Sequence, residues 1–120
     1  MIEIIPTLVI LFAHWIADFI FQTDEMAKNK STSNMWLAKH ILSYMLGLFL
    51  VLCLAIPLAE LIPWILVNGV LHFVIDYCTS RISSKLYAKG DIHNFFVVIG
   101  FDQFLHAVSL LITFQIMIKG

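Results

Sequence analysis

The sequence predicts an all-α integral membrane protein that folds as a four-helix bundle. Of its 120 residues, 61% are hydrophobic and only 12% are charged, about half the charged fraction of a typical soluble domain. The apolar residues are gathered into four long segments, and the mean hydropathy is +0.94. Within these segments histidines and aspartates recur at a spacing of four, which places them on one face of a helix.

Four segments are long enough to cross a bilayer, which needs about 20 apolar residues per helix. They must be helical, because a backbone inside lipid has to satisfy its own hydrogen bonds. Pro6 and Pro63 fall in the first turns of two segments, where a missing N–H costs little. Pro57 ends the second segment, so the second and third form an antiparallel hairpin. The sequence therefore predicts one transmembrane domain over residues 1–120, with spans at 4–22, 37–56, 61–77 and 95–118.

Basic residues mark two of the three connections. Six lysines and arginines flank the first and third connections, whereas the opposite side carries Glu3, Glu60 and Lys119. By the positive-inside rule, these two connections face the cytoplasm and both termini face outside. We interpret the lysines chiefly as topology charges, with attraction of anionic lipid headgroups or a phosphate as the alternative. We interpret the aromatic residues Trp36, Tyr44, Trp64 and Tyr87 as interface aromatics. The six basic residues are Lys28, Lys30, Lys39, Arg81, Lys85 and Lys89.

Each of the four spans contributes polar residues to the cytoplasmic half. The other half is almost purely apolar, as in "LGLFLVLCLAI" at 46–56. Because a charged group is costly in lipid, we expect these side chains to face one another in a cavity between the helices. They are His14, Asp18, Gln22, His40, Asn68, His72, Asp76, Asp102, Gln103 and His106.

The two halves of the chain also resemble each other weakly. "FAHWIADF" at 12–19 aligns with "VLHFVIDY" at 70–77, and each is followed by a basic connection and a helix with a further histidine. This pattern is typical of two helix-hairpin pseudo-repeats.

Mixed imidazole and carboxylate groups are ligands for zinc, manganese or iron, and helix bundles build metal sites from inward-facing side chains. A metal-bound water is a nucleophile near neutral pH, so the corresponding chemistry is hydrolysis of a lipid or phosphoester at the inner leaflet. We predict metal ligation by His14, His72, Asp76 and His106, ligand orientation or general acid–base roles for Asp18, His40 and Asp102, and substrate contacts by Gln22, Gln103 and Arg81.

Two alternatives remain open at this point. The protein could be a small transporter or ion- or proton-coupled carrier in which Asp18, Asp76 and Asp102 titrate. Since the outer half offers no polar stepping stones, such a path would need a second copy or a moving helix. The protein could also be a non-catalytic scaffold subunit, with buried hydrogen bonds of about 0.6–2 kcal/mol each holding its helices. The net charge of −1 lacks the basic footprint that nucleic acid requires.

Three stretches carry a resemblance to a known family: "HWIADFIFQTDEMAKNKS" at 14–31, "KHIL" at 39–42, and "LHFVIDYCTSRISSKLYAKGDIHNFFVVIGFDQFLH" at 71–106. They resemble the small bacterial and phage membrane proteins known as domain of unknown function 3307. The resemblance implies a multi-pass protein of the bacterial inner membrane and supplies no activity. A looser likeness is to the membrane-bound metal-dependent hydrolases, although their arginine- and histidine-rich opening motif is missing, and fold-level analogy alone cannot assign chemistry. The motif positions are His14, Asp18, Gln22, His40, His72, Asp76, Asp102, Gln103 and His106.

Overall fold

The computed structural model describes residues 3–119, and within them it contains five α-helices and no β-strand. The all-α prediction is therefore confirmed. The first helix continues directly into a π-helical turn, Ile16–Ile20, and the last into a second one, Gln115–Lys119. The helices are α1 (Ile4–Trp15), α2 (Asp24–Asn29), α3 (Asn34–Leu52), α4 (Leu58–Ala88) and α5 (Ile92–Phe114).

Three helical segments are long and apolar enough to cross a membrane: α3, α4, and α5 together with its π-helical extension. The first apolar segment, Ile4–Ile20, is shorter and spans about 25 Å at 1.5 Å per residue, against about 30 Å for a bilayer core. Large apolar side chains such as Leu8 and Phe12 nevertheless face outward from it. The structure thus indicates membrane association, and a fourth span remains a prediction.

Two helix ends differ from the sequence prediction. The first span was expected to continue to Gln22, but the helical part ends at Ile20 and Gln22 lies in the link to α2. The third span was expected to end at Tyr77, but α4 continues to Ala88, because no glycine or proline interrupts residues 78–88. Gly90 then turns the chain with a φ of 77°, a conformation that glycine adopts without steric cost.

The longer α4 changes the position of three residues that the sequence placed in a loop or at a helix start. Arg81 and Lys85, expected in a connecting loop, lie on the last turns of α4. Pro63, expected in a first turn, lies inside α4 because the helix already begins at Leu58. Only residues 89–91 connect α4 to α5, so these two helices form a tight hairpin.

Side-chain caps fix the first residues of two helices, α2 and α5. The hydroxyl of Thr23 accepts a hydrogen bond from the backbone N–H of Met26 at the start of α2. Asp91 caps α5 in the same way, and the bonds that Asn94 donates to its carboxylate lower the pKa of Asp91. The caps define where α2 and α5 begin, on either side of the functional site.

The interior is divided along the helix axes into two regions. The apolar half contains Ile10, Leu52, Leu61, Trp64 and Leu110, all nearly inaccessible to solvent. The cluster half, next to α2, contains buried histidines and aspartates instead. Helix α1 packs on α3 and α5, α3 on α4, and α4 on α5, so the side chains of four segments converge in the cluster half.

Candidate metal centre

The cluster half contains seven imidazole and carboxylate side chains, each at most 9% exposed. They come from α1 and its π-helical turn, α3, α4 and α5. The sequence therefore predicted correctly that these residues meet in the interior. They are His14, Asp18, His40, His72, Asp76, Asp102 and His106.

Four of these side chains form what we call the inner group: Asp18, His40, His72 and Asp76. Asp18 Oδ1 lies 3.0 Å from Nε2 of His40 and 3.4 Å from Nε2 of His72. Asp76 Oδ2 lies 3.3 Å and 3.1 Å from the same two nitrogens. The two nitrogens are themselves 3.3 Å apart.

These separations match the edges of a metal coordination tetrahedron. Ligand atoms at about 2.0–2.1 Å from a tetrahedral zinc are about 3.3 Å from one another. Five of the six separations in the inner group lie between 3.0 and 3.4 Å, and all four atoms lie within 4.8 Å of one another. One cation at the centre could therefore contact all four ligand atoms.

Hydrogen bonding alone satisfies the inner group poorly. Each Nε2 of His40 and His72 faces two carboxylate oxygens and another nitrogen, although an imidazole nitrogen carries at most one proton. The buried Nδ1 atoms of both rings have no hydrogen-bond partner within residues 3–119. If each ring carries its proton on Nδ1, both Nε2 lone pairs are free to ligate one metal.

A second set, which we call the outer group, shares Asp76 with the first. Nε2 of His106 lies 3.1 Å from Asp76 Oδ1 and 3.2 Å from Asp102 Oδ1, and the three groups offer ligand atoms within 4.8 Å of one another. Thr79 donates its hydroxyl proton to Asp102 Oδ1, and Gln103 donates from Nε2 to Asp102 Oδ2 at 3.0 Å. Bonds of this kind orient a ligating carboxylate.

A pocket of about 270 Å³ opens onto the outer group. Asp76, Asp102 and Gln103 form part of its wall. Lys30 lies at the same place, with Nζ 3.4 Å from Asp76 Oδ2 and its side chain 20% exposed. The remaining wall combines hydroxyl-bearing and apolar residues, with Ser31, Ser83, Ser84, Phe19, Phe95 and Val98 among them.

Asp18 reaches the inner group from an irregular segment. It lies in the π-helical turn Ile16–Ile20, in which Phe21 N bonds to Ile16 O five residues back. The extra residue per turn rotates Asp18 relative to a regular α-helix, and π turns frequently occur at functional sites. The turn also packs closely on α3, because Gly47 leaves room for Ala17.

Comparison with known proteins identifies the family of this chain. The family model described as "Protein of unknown function (DUF3307)" matches residues 7–120. The chain belongs to this family. No significant match was found among curated proteins or among solved structures. Membership in the DUF3307 family confirms the resemblance seen in the sequence and assigns no activity, and the looser likeness to metal-dependent hydrolases has no support from these comparisons.

In this DUF3307 protein, some of the predicted site residues lie outside both the inner group and the outer group. His14 bonds to Gln103 at 2.9 Å and faces the hydroxyl of Tyr44, while its Nε2 is 3.8 Å from Asp18. It is outside both ligand groups, and its role as a ligand stays a prediction. Gln22 lines the pocket next to Gln103. Arg81 instead bonds to Asn34 at 2.8 Å and covers the ring of Tyr77.

The sequence interpretation missed three residues of the site. Lys30 was interpreted as a topology charge, yet it pairs with Asp76. Tyr44 was interpreted as an interface aromatic, but it is 1% exposed and its ring lies 4.1 Å from that of His72; Trp64, interpreted in the same way, is also buried. Thr79 was not considered, although it lies one helical turn after Asp76 and that spacing could have identified it.

Proposed function

We propose that this DUF3307 protein binds a divalent transition metal, zinc, manganese or iron, through the inner group. The observation that carries the proposal is the near-tetrahedral spacing of four ligand atoms from three separate segments. Asp18 and His40 then act as ligands beside His72 and Asp76. This ligand set, two imidazoles and two carboxylates, suits these metals.

The charges in the cluster half support a bound cation. Asp18, Asp76 and Asp102 carry three formal negative charges, and Lys30 is the one lysine or arginine that pairs with them within residues 3–119. With neutral imidazoles, the form in which histidine ligates a metal, two of these negative charges need a further positive partner. Burying such charges without partners is very costly; a divalent cation removes this cost, whereas without a cation the neighbouring histidines must carry protons.

We further propose that the protein is a hydrolase of phosphoesters carried by membrane lipid. Lys30 gives the pocket one positive charge beside the metal ligands, and its walls combine hydroxyl-bearing and apolar residues. A lysine ammonium is a common phosphate ligand, and a metal with an open coordination position at Asp76 and Asp102, the ligand residues that line the pocket, would supply a water nucleophile near neutral pH. His14, Gln22 and Gln103 are then positioned to orient substrate or water.

The proposed topology places this pocket at the inner leaflet of the bacterial cytoplasmic membrane. Lys28, Lys30 and Lys89 lie at the cluster end of the helices, as do Arg81 and Lys85, so the positive-inside rule assigns this end to the cytoplasm. In this orientation a lipid headgroup reaches the pocket from the leaflet, and Ile4–Ile20 serves as a short fourth span around which the bilayer thins locally.

A transport function is less well supported by the packing. A carrier needs polar groups that continue across the membrane. In the apolar half, the interior described by residues 3–119 is built of side chains such as Leu52, Leu61 and Leu110. A scaffold function leaves the near-tetrahedral group unexplained, because hydrogen bonds alone would not require it.

The metal proposal is tested by mass spectrometry on tag-free protein, purified in mild detergent without chelator. We expect near-stoichiometric metal in the wild type and in His93→Ala, since His93 is exposed at the start of α5. We expect none in the double variant His72→Ala/Asp76→Ala. Circular dichroism checks that the helices of each variant remain. A wild type without metal, folded and supplied with zinc or manganese, would overturn the proposal.

The hydrolase proposal is tested separately on the metal-loaded protein. A chromogenic phosphodiester and mixed micelles of phospholipid serve as substrates, and released product is measured against the same double variant. Turnover that depends on metal and disappears in the variant supports hydrolysis. Bound metal with no turnover on either probe would contradict this part and leave a metal-binding protein.

A further inference from the structure

We infer that the cluster holds two metal ions of different character, bridged by Asp76, and that the one in the outer group is the exchangeable ion that faces the pocket. The inference rests on the proposed metal binding and adds a second site to it. Its starting point is that the two oxygens of one carboxylate point to different ligand groups.

The geometry of Asp76 is that of a bridging ligand. Its Oδ2 faces the inner-group nitrogens of His40 and His72, and its Oδ1 faces Nε2 of His106. Ions held by the two oxygens of a single carboxylate can approach to about 3.5–4 Å, the spacing found in two-metal hydrolytic sites. The rings of His72 and His106 are stacked 3.8 Å apart with an angle of 5° between them, so the two groups are immediate neighbours.

The two groups differ in how many ligands the protein supplies. The inner group offers four ligands, and its residues are at most 4% exposed. The outer group offers only three, and one of them, Asp102, is the most exposed ligand of the cluster at 9%. Four protein ligands are typical of closed structural sites, whereas three ligands with one open position are typical of catalytic sites.

The open position of the outer group is on the pocket side. Asp76 and Asp102 both line the pocket, together with Thr79 and Gln103, which bond to Asp102. A water or a phosphate oxygen entering the pocket can therefore reach an outer ion, while an inner ion is enclosed by α3, α4 and the π-helical turn. We expect the inner ion to exchange slowly and the outer ion quickly.

Lys30 adds a further detail to this arrangement. Its ammonium lies 3.4 Å from Asp76 Oδ2, close enough to partly neutralise the bridging carboxylate. Two divalent ions neutralise Asp76 more strongly, so their binding would release Lys30 toward the pocket. The same lysine then becomes available to an anion at the outer ion.

The experiment loads metal-free protein with Mn²⁺ alone and counts bound ions per chain by equilibrium dialysis. We expect two ions in the wild type, of which chelator removes one at least tenfold faster than the other. Asp102→Asn should retain one slowly exchanging ion. The matched control is Asp91→Asn, an aspartate outside the cluster that caps the same helix and that should retain both ions when substituted.

Electron paramagnetic resonance on the same samples provides a second, independent readout of the number of bound ions. Two bridged Mn²⁺ ions give an exchange-coupled spectrum, and one ion gives the spectrum of isolated Mn²⁺. We expect coupling in the wild type and an uncoupled spectrum in Asp102→Asn. One uncoupled ion in the wild type, unchanged by Asp102→Asn, would overturn the two-metal inference and leave the proposed inner site intact. No bound Mn²⁺ or zinc in the folded wild type would overturn both.

Discussion

The cluster half and the apolar half are built from the same helices but are held together by different forces. In the apolar half, side chains such as Leu61 and Trp64 fill space against one another, and stability there depends on shape. In the cluster half, seven buried ionisable groups lie within a few ångströms, and their compatibility depends on a compensating positive charge. Substitutions in the cluster half should therefore change chiefly metal affinity, and substitutions in the apolar half should change chiefly the free energy of unfolding.

The largest effect should come from removing a charge of the inner group. Asp18→Asn keeps the shape of the side chain but removes an anionic ligand that faces both His40 and His72. We expect metal affinity to fall by about 100-fold or more, since even the partners that orient ligands contribute about 10–100-fold. In a background that keeps Trp64 as the sole tryptophan, tryptophan fluorescence, which then reports on the apolar half, should not change.

Asp24→Asn is the matched control, because Asp24 is an exposed aspartate in α2. Equal metal affinity in Asp18→Asn and Asp24→Asn would show that the inner group is not the metal site.

A substitution at the boundary between the halves should lower both the free energy of unfolding and the metal affinity. A Cβ at Gly47 would lie 2.8 Å from the Cα of Ala17, so Gly47→Ala must separate α3 from the π-helical turn. We expect a loss of about 1–3 kcal/mol in the free energy of unfolding, measured by denaturant titration in mixed micelles. Metal affinity should fall as well, because Asp18 follows Ala17 in the chain.

Gly100→Ala tests whether this effect depends on contact. A Cβ at Gly100 meets no atom within 4 Å, so the substitution should be neutral or should stabilise α5 by up to about 1 kcal/mol. If both alanine variants behaved alike, the close approach at Gly47 would not be what positions Asp18.

A substitution of Lys30 should weaken anion binding without weakening metal binding. Lys30→Gln removes the positive charge next to Asp76, so inorganic phosphate should bind the metal-loaded protein about tenfold more weakly, or about 1.4 kcal/mol. Metal affinity should stay the same or increase, since the lysine competes with the metal for Asp76. Isothermal calorimetry measures both.

Lys28 is exposed and serves as the control, so Lys28→Gln should change neither phosphate affinity nor metal affinity. If phosphate affinity fell equally in both variants, the effect would be one of general surface charge and not of the pocket.

The smallest effect should come from a neutral hydrogen bond of Asn68, which the sequence grouped with the polar cavity but whose partners Trp64 and Thr113 lie toward the apolar half. Asn68 donates from Nδ2 to the hydroxyl of Thr113 at 2.9 Å, and Thr113→Val removes the acceptor. We expect a loss of about 0.6 kcal/mol in the free energy of unfolding, the average for such bonds between membrane helices, with metal content unchanged. Thr113→Ser retains the hydroxyl and should unfold closer to wild type. A change in metal content would show that the two halves are coupled.

The sequence by itself determined the all-α class, the apolar character of the helices and the membership of the cluster. These properties follow from composition and from the spacing of residues along one helix, both of which are local. His72 and Asp76, for example, lie four apart on α4 and share a face whatever the rest of the chain does. The spacing of Asp102 and His106 on α5 predicts their pairing for the same reason.

The tertiary structure decided which members of the cluster meet. The rotation and approach of packed helices bring Asp76 between two ligand groups and leave His14 beside Gln103; no spacing along the chain contains this information. The π-helical turn redirects Asp18, and the fold of α2 brings Lys30 to Asp76, 46 residues away in the chain. Local periodicity determines the face on which a side chain lies, and only the packing of helices determines what that face contacts.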